Sequence, residues 1–328
     1  MTDTCIRLEA TVPSDCAGQR LDQVAAALFP DFSRTRLQQW IKDGAITRDG
    51  QPCKVRDRLM GGERLSLVAE LEEQGEWVAE AIDFRVIHED VDILVLDKPA
   101  GLVVHPGAGN PRGTLLNALL HRYPDQALLP RAGIVHRLDK DTSGLMVVAR
   151  TPRAQNALVA QLQARSVSRD YEALVQGVLV AGGTVDAAIG RHPAQRTRMA
   201  VVRGGGKEAI SHYRVLRRFA AHTHVRVSLE TGRTHQIRVH MAHLGYPLVG
   251  DPVYGGRPKL PREASSTLIA ALRGFPRQAL HAAALSLTHP GSGERLHWES
   301  PLPVDMAELL AVLEAECLAL QGEETKWV

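Results

Sequence analysis

The segment Gly133 to Met146, GIVHRLDKDTSGLM, sets two carboxylates, Asp139 and Asp141, among His136, Arg137 and Lys140. Neighbouring cations favour the ionised form of a carboxylate, which can then serve as a nucleophile or a base. Gly133, Gly144 and the Thr142-Ser143 pair mark a tight, irregular loop between two apolar stretches. Loops held by a rigid scaffold often carry function. From charge pattern alone, a surface loop with local ion pairs is the stronger reading.

Three other constellations carry less. His235, His240 and His243 lie close together, the last two on an expected helix. No acidic or cysteine ligand stands beside them, so no metal site is expected. Gly204-Gly205-Gly206-Lys207 has Glu208 where a phosphate loop needs Ser or Thr, and the first glycine is missing. A turn is expected there. Asp139 and Asp141, two residues apart on one loop, are not placed to flank a sugar as glycosidase carboxylates do.

These side chains need a scaffold. The chain has 328 residues, 44% hydrophobic and 23% charged, enough for two domains and a core that needs no staples. Cys5, Cys16, Cys53 and Cys317 form no CxxC pair, so they read as reduced thiols rather than a disulfide or zinc framework. The polar N-terminus lacks the pattern of a signal peptide, and no apolar run is long enough for a membrane span. A cytoplasmic, monomeric protein without a membrane partner is expected. The net charge of +2 conceals an asymmetry: residues 131–260 hold 20 Lys or Arg against 8 Asp or Glu, and the rest hold 19 against 29. A polyanion-binding face would require such a surplus.

Residues 18–68 read as a small module. Ser33 can cap a helix running to about Asp43, with Leu37, Trp40 and Ile41 on its apolar face and Gly44 ending it. Asp49-Gly50 signals a tight turn, and a strand follows from Arg64 to Val68. Arg34, Arg36 and Lys42 fall outside the apolar positions, where they can face phosphates. Residues 69–80 read as an acidic linker with a boundary near 80. From residue 83 strand-like and helix-like runs alternate: Asp92 to Asp97, residues 144–149, a helix from Pro152 to about Arg165, the alternating Val225, Val227 and Leu229, and an amphipathic helix over 304–318. The mixture predicts an α+β fold on a largely antiparallel sheet.

Two resemblances sharpen these readings. AGQRLDQVAAAL, SRTRLQQWIKDGAITRDGQPCK and GGERLSLV together resemble an S4-type RNA-binding domain, assigned to residues 18–80. HRLDKDTSGLM resembles the signature loop of the RluA-type pseudouridine synthases, a family whose other segments recur in order as DKPAGLVVHPG, DYEALVQG and TGRTHQIRVHMAHLGYPLVGDPVYG. The resemblance assigns residues 81–328 to a catalytic domain of the pseudouridine synthase fold. It implies Asp139 as catalytic carboxylate, Tyr171 as active-site aromatic and Arg238 as basic partner of the aspartate. It implies Arg137 entering the RNA stack, with His136, Arg233 and His235 as further RNA contacts. The implied reaction isomerises uridine to pseudouridine in large-subunit ribosomal RNA or its assembly intermediate, at the stem-loop called helix 69. No metal or organic cofactor is expected, because no atoms are added and no electrons are removed overall. Another ribosomal loop or transfer RNA would call for the same motifs. A non-catalytic ribosome-assembly protein or a nucleoside hydrolase are the other readings.

Overall fold

The computed structural model describes residues 5–70, 77–107, 109–195, 197–261 and 263–324. At the N-terminal end β1 (Cys5–Thr11), β2 (Ile46–Arg48), β3 (Gln51–Pro52) and β4 (Arg64–Glu70) form an antiparallel sheet in the order β1-β4-β2-β3. Two helices, α1 (Leu21–Leu28) and α2 (Arg34–Lys42), cover it. The Ser33 side chain accepts a hydrogen bond from the Arg36 N–H, a cap worth about 1 kcal/mol. Leu37 and Ile41 are buried one helical turn apart, and Gly44 leaves the helix at φ +77°. Asp49 and Gly50 both take positive φ, as a two-residue hairpin of this hand requires.

Asp22 organises the helical side of this unit. Its carboxylate is fully buried and receives hydrogen bonds from Arg20, Arg34 and Gln38. Burial alone would raise its pKa, but Arg34, Gln38 and Arg20 override that and bring it down to about 2. Arg34, expected to face phosphates from its place on the helix, has its guanidinium paired with Asp22 while nearly half of its side chain stays exposed. Arg36 lies over the Trp40 ring, and Lys42 is exposed.

The acidic stretch 69–80 divides. Ala69 and Glu70 finish β4 opposite Ile6 and Cys5. Residues 71–76 lie outside the described residues. From Trp77 the chain is docked rather than linking: Asn117 holds the Val78 carbonyl, and the Glu80 N–H donates to the Asn117 carbonyl.

The large unit is a nine-stranded sheet built from β5 (Arg85–Glu89), β6 (Ile93–Lys98), β7 (Ser143–Ala149), β8 (Ser168–Gln176), β9 (Gly183–Asp186), β12 (Ile210–Arg218), β13 (His222–Leu229), β14 (Leu280–Thr288) and β15 (Arg295–Glu299). A small hairpin, β10 (Ile189–Arg191) and β11 (Met199–Val201), stands apart. The order is β5-β6-β7-β14-β8-β13-β12-β9, with β15 on β14, and every pairing is antiparallel except β7 with β14. Strands β6 and β7 are apolar on both faces because both faces are covered. Helices α3 (Leu115–Arg122) and α5 (Gln236–His243) pack with one face, where Leu94, Met146, Ala173 and Val225 lie. Helices α4 (Pro152–Gln163), α6 (Ser266–Gly274) and α7 (Val304–Glu324) cover the other. The α+β class and the largely antiparallel sheet are those the sequence predicts.

Replacing Asp22 with Asn removes the charge that three donors share. Both arginines are partly solvated, so the expected loss is about 2 kcal/mol, below the ~3–5 kcal/mol of a fully buried pair. The folded pKa lies below the unfolded one, so the stabilisation exists above about pH 4 and vanishes as pH falls through about 2. Denaturant titrations of wild type and Asp22→Asn from pH 7 down to 2 should converge in stability at the acid end. Equal stability at pH 7 would show that the cluster contributes nothing.

Candidate active site

The loop carrying Asp139 is shaped by two glycines and gripped by two buried cations. Gly133, at φ +75°, lies so near β7 that a Cβ would fall 2.0 Å from the Ala149 carbonyl oxygen. Gly144, at φ +111°, faces the backbone of Ala282 where β7 and β14 run parallel, with 2.3 Å left for a Cβ. Between them the Thr142 N–H donates to the Asp139 carbonyl and closes a turn. Lys98, fully buried, donates to the carbonyls of Pro99, Leu102 and Lys140. Burial lowers its pKa to about 7, against the opposing pull of Asp141 and Asp139. Arg277 pairs with Asp305 and also donates to the Asp141 carbonyl. Consecutive loop carbonyls are thus held from two sides.

Helix α5 brings the counter-charge. Gln236, in its first turn, donates to the Ile210 carbonyl and the Ser211 hydroxyl and accepts from the Arg233 N–H, which fastens the helix to β12. Arg238, 5% exposed, then donates through Nη1 to Asp139 Oδ2 at 2.9 Å and through Nε and Nη2 to Asp251 at 2.7 and 3.0 Å. Asp251 is fully buried and also accepts from the N–H groups of Val253 and Tyr254. Burial opposes the charge on Arg238, but Asp251 and Asp139 outweigh it and hold its pKa above the ordinary arginine value. Burial pushes Asp251 up, and Arg238 more than reverses this.

Asp139 and Arg238 line a cavity of about 1170 Å³ whose wall carries seven Lys or Arg and three Asp or Glu side chains. The excess of positive charge suits a polyanion. Tyr171, on β8, faces the cavity from a nearly buried position, and burial raises its hydroxyl pKa, so it stays protonated. Arg137 is exposed on the rim, and Arg233 lines the wall while donating to the Glu208 carbonyl.

His136 and His235, the two histidines expected to meet RNA, both line the cavity. The His136 Nε2 accepts from the Val147 N–H, and burial together with Arg169 lowers its pKa to about 3. At neutral pH it is an uncharged tether between the loop and β7. His235 opens α5 in a left-handed conformation at φ 57°, with Nε2 3.9 Å from Asp139 and Nδ1 beside the Tyr254 hydroxyl. Burial lowers its pKa against the attraction of Asp139. His240 is buried against Ser211 and the Ala187 carbonyl. The Gly204–Lys207 stretch is the turn leading from β11 towards β12.

Sequence reading brought Asp139, Tyr171, Arg137 and Arg238 to one place but passed over Asp251, Lys98, Arg277 and Arg169. The DP pair in GDPVYG and the lysine closing a six-residue apolar strand were the available signals.

Residues 92–243 match the RNA pseudouridylate synthase family, and residues 19–65 match the S4 domain. The chain is 63% identical over 317 residues to a ribosomal large subunit pseudouridine synthase D of Pseudomonas aeruginosa, covering 97% of this chain and 99% of that protein. It is 57% identical to the protein of the same description from Xanthomonas campestris, covering 96% and 94%. Among solved structures, human RNA pseudouridylate synthase domain containing 1 superposes with a TM-score of 0.54 at 26% identity, over 71% of this chain and 89% of that one.

The two carboxylates on Arg238 differ in depth, which separates their contributions to stability. Asp251→Asn leaves two buried backbone donors without a charged acceptor and strips the buried guanidinium of the deeper of its two carboxylates, which should cost about 3–5 kcal/mol. Asp139, at the cavity surface with 15% of its side chain exposed, should cost less when changed to Asn. Denaturant unfolding of the two variants checks the ranking; an Asp139 variant that loses more would overturn it.

Proposed function

This chain belongs to the RNA pseudouridylate synthase family and is an RNA pseudouridine synthase, an isomerase; from that premise we propose that it modifies uridines of large-subunit ribosomal RNA, in the stem-loop called helix 69, through Asp139. The observation that carries this reading is the Asp139 carboxylate held 2.9 Å from Arg238 on the wall of a cation-rich cavity. The named relatives support the ribosomal target.

In this mechanism the target uridine leaves its stack, at a cost of a few kcal/mol. Arg137 fills the gap or holds a phosphate, and Tyr171 packs against the extruded base. The bond from C1′ to N1 breaks and one from C1′ to C5 forms. The C5 proton departs and N1 gains one, so the reaction is balanced without a redox partner. Asp139 serves this rearrangement as a nucleophile or as a base, and Arg238 fixes the direction of its oxygens with the planar fork that lysine lacks. Residues 18–80 act as the S4-type module, with Arg36 and Lys42 towards phosphates, and residues 81–328 carry the chemistry.

Tritium release from 5-tritiated large-subunit RNA and from a helix 69 transcript tests the proposal, with pseudouridine mapped afterwards. Wild type should modify the stem-loop. Asp139→Asn should bind RNA with unchanged affinity and release no tritium, and measurable turnover by that variant would remove Asp139 from the mechanism. Arg238→Lys should bind normally and lose about 100-fold or more in single-turnover rate. Modification confined to other uridines would redirect the target while leaving the chemistry in place.

The module makes a separate prediction. Changing Arg36 and Lys42 together to Gln should weaken RNA binding and reduce the slope of log affinity against log salt by about one to two. The rate at saturating RNA should hold. An unchanged salt slope would show that this helix does not meet phosphates of the substrate.

A further inference from the structure

Four Lys or Arg side chains are buried among the described residues, and three of them are compensated. Arg238 has two carboxylates, Arg277 has Asp305, and Lys98 has three carbonyls. The fourth is Arg169. It is 8% exposed, its hydrogen bond runs from Nη2 to the Glu230 carbonyl at 3.2 Å, and its buried Nε has no partner. No carboxylate of the described residues pairs with it.

Its position in the fold is specific. Arg169 precedes Tyr171 by two residues on β8, so the pleat turns both side chains to the same face and both line the cavity. Gly232 makes room for it: a Cβ there would come within 2.7 Å of Arg169 Nη1. On the adjacent rim Arg165 is already neutralised by Glu208 and Glu230. A buried cation without a counter-charge is unfavourable, and local rules of this kind are broken where a ligand completes them. The anion that RNA brings is the phosphodiester. A guanidinium can take two of its oxygens through parallel N–H bonds, whereas a neutral uracil carbonyl would leave the charge uncompensated.

We infer that Arg169 is a phosphate-binding residue for the extruded nucleotide, clamping a phosphodiester that flanks the target uridine while Tyr171 faces its base. The inference rests on the functional reading above and adds a residue that positions the substrate backbone.

The test is a double cycle between protein and RNA. Wild type and Arg169→Met are measured on RNAs carrying one uncharged methylphosphonate linkage, placed in turn on the 5′ and the 3′ side of the target uridine. At one of these linkages the neutral group should weaken wild-type binding by about 10- to 100-fold and Arg169→Met by less than about two-fold. On unmodified RNA the salt slope of Arg169→Met should fall by about one. Arg169→Lys should keep the slope but lose single-turnover rate, because a point charge does not fix the backbone in one orientation. Gly232→Ala, which displaces the guanidinium without removing it, should repeat the Met signature, so the test does not depend on one variant folding. Melting temperatures separate a structural role: a variant that is merely less stable shows equal losses on both modified RNAs and on the unmodified one. Equal losses for wild type and Arg169→Met at both linkages would overturn the assignment. Affinity is read apart from turnover. RNA that binds with the expected coupling but is never isomerised would therefore overturn the functional reading and leave the phosphate contact standing.

Discussion

One guanidinium shared by two carboxylates ties the candidate site together. Arg238 reaches Asp139 with one nitrogen and Asp251 with two others. The three residues come from the loop before β7, from α5 and from the turn after it, segments that meet only when the sheet is assembled. Removing charges from water costs several kcal/mol per ion, and only good geometry with further hydrogen bonds repays it. Here the repayment is local, since Asp251 also takes two backbone N–H groups and Arg238 lies over the Tyr254 ring at 5.2 Å. The deeper carboxylate carries the burden of holding Arg238 in place. The shallower one is left at the cavity surface, oriented but reachable. A phosphate-clamping Arg169 would complete a division of labour in which one buried cation serves the protein's own carboxylate and another waits for an anion from the substrate.

Much of the architecture was legible because it rests on local rules. The capped helix after Ser33, its glycine stop, the Asp49-Gly50 turn and the alternating Val225 and Val227 each follow from side-chain type and spacing within a few residues. Asp139 and Arg238 are 99 residues apart, and no spacing argument joins them; only resemblance to a family sets them side by side in sequence, and in the fold they lie 2.9 Å apart. Two side chains find partners that sequence spacing does not show. Arg34 sits on the polar side of an amphipathic helix, as a phosphate contact would, but Asp22 sits under it on the preceding helix. His136 lies amid charges in the sequence, yet in space its ring nitrogen faces a strand N–H. In each case the partner that decides the electrostatics lies on a different element.

Lys98 and Arg277 show the same limit more sharply. A lysine before a proline at the end of a strand reads as a surface residue. In the fold it is fully buried because three carbonyls converge on its ammonium, and that convergence exists only where the turn after β6 and the loop before β7 meet. The glycines at 133 and 144 mark an irregular loop, and both take positive φ there. What they permit is closer than a turn: backbone against backbone at distances no side chain would allow.

The grip on the loop is made through carbonyl oxygens, atoms that every amino acid carries. Lys98 and Arg277 hold positions 140 and 141 by their main-chain oxygens, without reference to the lysine side chain at 140, while the Asp141 carboxylate helps keep Lys98 charged. The address of the Asp139 carboxylate is therefore written in the main chain and is indifferent to the spelling of its next neighbour. Drift at 140 leaves that address intact, whereas a change at 98 or 277 shifts it while the loop's own letters stay the same. A mutational map of this region would be quiet beside the carboxylate and loud at two positions remote from it in sequence.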